Sequence, residues 1–495
     1  MQDIGNKVAK GAIWMVMFKL AERSLGLIST IILARLLIPE DFGLVAMAMS
    51  IIAALELLGA FSFDIALIQK QDASRKHYDT AWTFNVLFGI VCALVLWALA
   101  DPAAMFYDDP RLEEIILLLA VGCFVQRLEN IGVVAFRKEL DFRKEFIFLF
   151  AKKVMSFTVT VTLALIYQNY WALVFGMLTG RLASVVLSYW IHPYRPRLSL
   201  AAAGELFGFS KWLLINNVLY FLNNRSSDFI IGKIEGARTL GLFNISYEIS
   251  NLATTELVAP VNRAVYPGFA KISHDQARLR RAFMNAVSLM LVFSLPAAVG
   301  IAALAELLVP VMLGDKWLEA IPLIQILAYC GAVSVVESSI YYVFLAVGRP
   351  QVSTYLSLGQ VVLLISLVIT LTLEFGVHGA VWAFLAVALV MLPVKYYFVC
   401  RQLDLKFRVL LKELWRPVVA SLLMLAAINL FLAYAGEAEG LLWQVLHLFG
   451  AILIGAVCYI SAILLLWLAS SKPQGAEHYI LEKIKGRLKL AGSKT

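Results

Sequence analysis

Cysteine is scarce in this chain, and where it occurs it is scattered. Cys92, Cys123, Cys330, Cys400 and Cys458 lie within or at the ends of apolar runs, with no CxxC pair among the five. That spacing excludes a disulfide framework and a thiolate metal site, and small apolar filler is the expected role. The six histidines are dispersed as well. There is no GxxxxGK[ST] loop, no HExxH and no GxSxG. Nothing here is equipped to hydrolyse a nucleotide, a peptide or an ester, and no enzyme activity, cofactor or metal is expected. Charge is scarce too: Asp, Glu, Lys and Arg make up 15% of 495 residues, against about a quarter in soluble globular chains. Large outer loops are also missing, the longest being "DPAAMFYDDPRL" at 101–112. The opening "MQDIGNKVAK" leads into an apolar run too long for a cleaved signal, with no small-residue cleavage site after it, so none is expected.

What fills the chain is hydrophobic sequence, 61% of it. Fourteen apolar segments begin near residues 11, 43, 80, 113, 146, 170, 207, 239, 282, 317, 352, 377, 416 and 442. Each is about 20 to 28 residues, enough to cross a bilayer with some tilt. The expected fold is therefore an all-α polytopic membrane protein of 14 transmembrane helices. Numbering the loops in order, the N-terminus, the even loops and the tail hold 27 of the Lys and Arg residues, and the odd loops hold five. Such a bias puts the rich side in the cytoplasm, so both termini are expected there. The last stretch, "HYILEKIKGRLKL" at 478–490, gathers Ile480, Leu481, Ile484 and Leu488 on one helical face, the pattern of a basic helix lying on an anionic membrane surface.

Shifting the chain by 198 residues lays Trp14 on Trp212, Arg35 on Lys233, and "FGL" at 42–44 on "LGL" at 240–242. A basic linker, "HPYRPRLSLAAAG" at 192–204, separates two sets of six spans. The expected organisation is an N-lobe of six helices over 1–200 and a C-lobe of six over 201–400. Residues 401–495 then add two further helices and the basic tail. An even number of spans per repeat makes the repeats parallel, with a cleft between the lobes that rocking opens to either side.

The charges inside the apolar runs are the informative exception. "FKLAERSLG" at 18–26 carries Lys19, Glu22 and Arg23 in the first span. A charge at the helix centre opposes insertion by roughly 2.5–3.5 kcal/mol, and a Leu, Ile, Val or Phe favours it by only about 0.3–0.6. Positions 19, 22, 23 and 26 share one face, and that face is expected to look into protein or water. Glu56, Arg127, Glu129, Lys152, Lys153, Arg181, Glu248 and Glu337 repeat the theme, and the seventh span, "NNVLYFLNNRSSD" at 216–228, is polar for most of its length. One explanation is a set of buried ion pairs, with Lys395 snorkelling from a cytoplasmic helix end. The other is a wet cavity. Lys19, Arg23, Arg181 and Arg225 would grip an anionic group such as a diphosphate. Asn216, Tyr220, Asn223 and Asn224 would bond sugar hydroxyls. Glu22, Glu56, Asp228 and Glu248 would be the pairing or coupling carboxylates. Together these suit a charged glycolipid head group.

"LARLLIPEDFGLVAMAMSI" at 33–51, "ALIQKQDASRKHYDTAWTFN" at 66–85 and "FRKELDFRKEF" at 136–146 resemble the Wzx-type polysaccharide transporters of the multidrug/oligosaccharidyl-lipid/polysaccharide exporter superfamily, in the colanic acid and teichuronic acid exporter branch. The resemblance implies two six-helix lobes forming a V. It also implies flipping of undecaprenyl-diphosphate-linked oligosaccharide repeat units across the bacterial inner membrane by alternating access. Glycan polymerase or chain-length machinery would be the partners, and nucleic acid would not. Basic residues of the first span facing the cavity carry over to Lys19 and Arg23. A drug/cation antiporter of the same superfamily is the main alternative, with Glu56 and Glu248 leaving room for it. A membrane-embedded glycan polymerase is another, opposed by the short outer loops.

Overall fold

The computed structural model describes residues 2–58, 63, 67–68, 70, 72–436 and 440–470; the side chains of 2–13, 16, 58, 205–217, 253–264, 336 and 407–413 fall outside the description. The basic tail at 478–490 and the side chain of Asn216 therefore lie outside the described residues. Every regular element within them is helical. In chain order these are α1 (Gln2–Leu36), α2 (Pro39–Leu58), α3 (Arg75–Tyr107), α4 (Arg111–Arg127), α5 (Val134–Lys138), α6 (Phe142–Tyr167) and α7 (Trp171–Ile191). There follow α8 (Ala203–Lys271), α9 (Gln276–Met312), α10 (Ile321–Ala346), α11 (Pro350–Leu403), α12 (Phe407–Ala435) and α13 (Leu441–Ala469).

Eight stretches among the described residues are long and apolar enough to cross a membrane, or nine if α4 and the bent segment Ile131–Lys138 after it, 61° apart, form one span. The chain is a polytopic membrane protein. The charge-studded helices α1 and α8 are not among the eight. Two helices are broken by glycine: α8 at Gly236 (φ 80°) and α11 at Gly376 (φ 63°). A side chain at those angles would be strained, and glycine lets the helix turn without ending.

The helices fall into two compact units, Met1–Gly241 and Leu242–Thr495. In the first, the hairpins α3/α4 and α6/α7 pack together through α4 and α7, with α1 lying along α6. Trp14 and Phe18, four residues apart on α1, both meet the ring of Phe146 on α6, at 5.2 and 6.2 Å. The linker after α7 is strapped to α3: Tyr194 Oη donates to Asp79 Oδ1 (2.7 Å), the Arg197 amide to the same atom (2.9 Å), and the Ser199 amide to Thr83 Oγ1 (2.9 Å). Asn130 Nδ2 donates to the Tyr194 carbonyl at 2.7 Å. These bonds give several backbone groups of the extended run partners on α3 and in the turn after α4.

The two glycines of the repeated motif sit at a close approach of α2 and α8. A Cβ on Gly43 would overlap the carbonyl oxygen of Ala237, and one on Gly241 would overlap that of Pro39. The 198-residue shift carries Gly43 onto Gly241 and Pro39 onto Ala237. The two approaches are thus images of one another, the self-complementary pattern of a two-fold contact.

In the second unit, α9, α10 and α11 pack around Phe269, Phe283, Phe344, Tyr396 and Leu403. The pair α12/α13 docks on α9, with Tyr459 Oη donating to the Val292 carbonyl at 2.8 Å. Lys395 does not snorkel. It is 12% exposed, donates to Gln360 Oε1 at 2.5 Å and pairs with Glu337, itself 9% exposed. A facing carboxylate satisfies the ammonium inside the bundle, so its side chain has no need to reach for water. Breaking such a pair typically costs about 3–5 kcal/mol, whereas replacing both partners with apolar side chains is often neutral. Lys395→Met is therefore expected to lower the thermal unfolding temperature in detergent, and Lys395→Met/Glu337→Leu to regain most of the loss.

Candidate functional site

The charges of α1 form an ion pair. Lys19 Nζ lies 2.7 Å from Glu22 Oε2, with 52% and 36% of the two side chains exposed. Arg23, the next residue, is half-buried. Trp14 and Phe18 commit one stripe of α1 to α6, and Glu22, one turn further along it, stays open together with Lys19. Such an arrangement suits a face toward water and not one toward lipid.

The first limb of α8 presents a second pair. Arg225 Nη1 donates to Asp228 Oδ2 at 3.0 Å; Arg225 is 45% exposed and Asp228 only 3%. Tyr220 and Asn224 are exposed and Asn223 is half-buried. Asn224 Nδ2 donates to the Tyr220 carbonyl one turn back (2.7 Å), which leaves its amide oxygen available to a ligand. Glu248 is half-buried in the second unit.

Arg181 sits differently from the other cations. Its Nη1 lies 3.1 Å from the Leu119 carbonyl and 2.8 Å from Cys123 Sγ on α4, and its Nη2 3.9 Å from Glu56 Oε1 on α2. Only 11% of its side chain is exposed. It ties three helices of the first unit together, and Glu56 is its counter-charge. Of the basic residues named from the sequence, Lys19 and Arg225 are open, and Arg181 is held in a wall.

Sequence reasoning missed a cavity in the first unit, of about 490 Å³, walled by α2, α3, α4, α6 and the turn between α4 and α5. Glu56, Arg127, Glu129, Arg137, Glu145 and Lys152 line it, with Asn85, Gln126 and Asn130. The signal was present in the charges of Arg127, Glu129 and Lys152, but Arg137 and Glu145 read as loop residues that matter for orientation alone. A second space, about 740 Å³ and almost wholly apolar, runs between α9 and the pair α12/α13, along Val292, Pro296, Gly300, Met424, Ile428 and Ile460. No group of His, Cys, Asp and Glu among the described residues could hold a metal ion.

Among the described residues the chain is a helical membrane protein with open ion pairs on its polar helices. Residues 32–322 match the family described as "Polysaccharide biosynthesis protein", and the chain belongs to that family. It is 26% identical to the lipopolysaccharide biosynthesis protein WzxC of Escherichia coli over 429 residues, 85% of this chain and 86% of that one. It is 24% identical to the succinoglycan biosynthesis transport protein ExoT of Rhizobium meliloti, covering 92% and 93% of the two chains. Among solved structures, the inward closed conformation of the lipid II flippase MurJ superposes with a TM-score of 0.76 at 13% identity, over 92% of this chain and 99% of that one. That likeness defines the fold.

Proposed function

We propose that this protein flips lipid-linked oligosaccharide repeat units across the bacterial inner membrane by alternating access, feeding a polysaccharide export pathway. The observation that carries the reading is the open Lys19–Glu22 pair on a membrane helix of a chain in the polysaccharide biosynthesis family. Lys19, Arg23 and Arg225 hold the diphosphate, and Glu22 and Asp228 neutralise two of these cations when the site is empty. Asn216, Tyr220, Asn223 and Asn224 take sugar hydroxyls. Arg181 and Glu56 keep the wall rigid, and Glu248 is the carboxylate the second unit offers for coupling.

In this reading each limb of the broken helices α8 and α11 is a separate pass, which brings the passes to fourteen with both termini in the cytoplasm. Two six-helix lobes, 1–200 and 201–400, do the rocking. Residues 401–495, carrying the last two passes, lie outside them. Support comes from the glycine breaks at Gly236 and Gly376 and from the 27-to-5 distribution of Lys and Arg between the two sets of loops. Reporter fusions after residues 75, 140, 275 and 405 are expected to read as cytoplasmic, and fusions near 106 and 437 as periplasmic. A periplasmic C-terminus would overturn the count.

With no P-loop in the sequence, the driving force is an ion gradient, the substrate gradient or the membrane potential. Liposomes containing this protein alone are expected to flip a lipid-linked glycan at the same rate with and without ATP. Strict ATP dependence would remove the secondary-transporter reading.

A further inference from the structure

The 490 Å³ cavity of the first unit plays no part in holding a diphosphate, yet its charges do not cancel. Arg137 Nε donates to Glu145 at 2.6 Å, and Glu56 faces Arg181. That leaves Arg127, Lys152 and Glu129, a residual charge of about one positive unit. Glu129 accepts a hydrogen bond from Ser184. Arg127 and Lys152 rest on aromatic rings, of Phe88 at 5.1 Å and Phe148 at 5.0 Å, and neither has a carboxylate within ion-pair distance among the described residues. The side-chain amides of Asn85 and Gln126 line the same space with no hydrogen-bond partner among those residues. Phe63, Phe136 and Phe148 supply apolar wall. The volume falls within the roughly 300–1,000 Å³ of small-molecule sites. Two cations that share the single carboxylate of Glu129, two amides without partners among the described residues and flat apolar rings are complementary to a pyranose that bears one carboxylate.

We propose that this cavity binds a carboxylate-bearing sugar, its carboxylate on Lys152 and Arg127 and its hydroxyls on Asn85 and Gln126. The proposal rests on the flippase reading and narrows its cargo to acidic glycans. Arg127 contributes two parallel N–H donors that match a carboxylate, and Lys152 adds a point charge. A neutral sugar would leave the residual charge uncompensated.

The test is ligand protection of the full-length protein in detergent, read by thermal unfolding and by tryptophan fluorescence. Sodium D-glucuronate is expected to protect saturably, and D-glucose at the same concentration to give no protection. Lys152→Gln is expected to weaken glucuronate binding about tenfold, the loss of one charge-assisted hydrogen bond. Asn85→Leu leaves the charges in place and should weaken binding less. Equal protection by glucose, or unchanged affinity in Lys152→Gln, would overturn the site. Inorganic phosphate or phosphatidylglycerol vesicles protecting as well as glucuronate and competing with it would overturn the sugar as the ligand. Flipping is scored separately on the same preparation. Glucuronate binding without flipping would remove the flippase reading and leave the acidic-sugar site standing.

Discussion

Arg23→Ala is expected to abolish glycan export while the protein remains in the membrane at close to its normal level. What decides the outcome is the state of the α1 charges when no substrate is present. Lys19 and Glu22 are paired at 2.7 Å but remain 52% and 36% exposed. Pairs this open contribute about 0–1 kcal/mol to stability, so removing either partner should leave folding nearly intact. If the face exists for ligand, the effect of these charges appears in transport. Arg23→Lys should then retain part of the activity, because the charge survives while the bidentate fork is lost. Lys19→Ala should impair export, and Glu22→Gln should be milder than Arg23→Ala. If the charges serve only the packing of α1, abundance and export will fall together in Lys19→Ala and Glu22→Ala, and the double mutant Lys19→Ala/Glu22→Ala will regain both. Export and membrane abundance, measured side by side for each variant, separate the two outcomes. Normal export by well-expressed Arg23→Ala protein would take Arg23 out of the site.

The second large effect is expected at the paired glycines, and it is one of folding. At Gly43 and Gly241 even a methyl group would overlap a backbone carbonyl, of Ala237 and Pro39 respectively. Backbone cannot rotate out of the way as a side chain can, so the two helices must part. Overpacking in well-packed cores typically costs about 1–3 kcal/mol, and here the strained atoms belong to both elements. Gly43→Ala and Gly241→Ala should each lower the thermal unfolding temperature by similar amounts, and Gly43→Val and Gly241→Val should prevent accumulation in the membrane. Gly359 is the control, because nothing lies within 4 Å of a Cβ placed there. Gly359→Ala should be neutral or slightly stabilising through the better helix propensity of alanine. Wild-type abundance of Gly43→Val would show that α2 and α8 are not in contact in the membrane.

Much of this protein was legible in its sequence because a bilayer imposes one strong rule. Backbone polar groups must be satisfied within each span, so long apolar runs become helices, and all-helical polytopic architecture follows directly. The i, i+3 spacing of Lys19 and Glu22 placed them in reach of each other, and they pair. The match of "FGL" at 42–44 to "LGL" at 240–242 marked the glycines that meet α8 and α2. Other features depend on which helices become neighbours, which periodicity does not encode. Arg181 and Lys395 looked alike, as single cations in apolar runs. One bridges to the carbonyl of Leu119 and to Cys123, and the other closes on Glu337. The cavity beside Arg127 and Lys152 was hidden for the same reason: α2, α3, α4, α6 and a turn contribute to it, and none carries a motif by itself.

The reciprocal contact of Gly43 with Ala237 and of Gly241 with Pro39 has a consequence for ancestry. A chain of about half this length, carrying the motif once, would have met a second copy of itself through the same two approaches. Such an ancestor needed no new surface to pair, only one segment compatible with its own image. Duplication and fusion of the gene would then have joined two partners already fitted to each other. Two copies joined in this way would be free to diverge everywhere except where each must admit the other, and there this chain has a glycine on both sides.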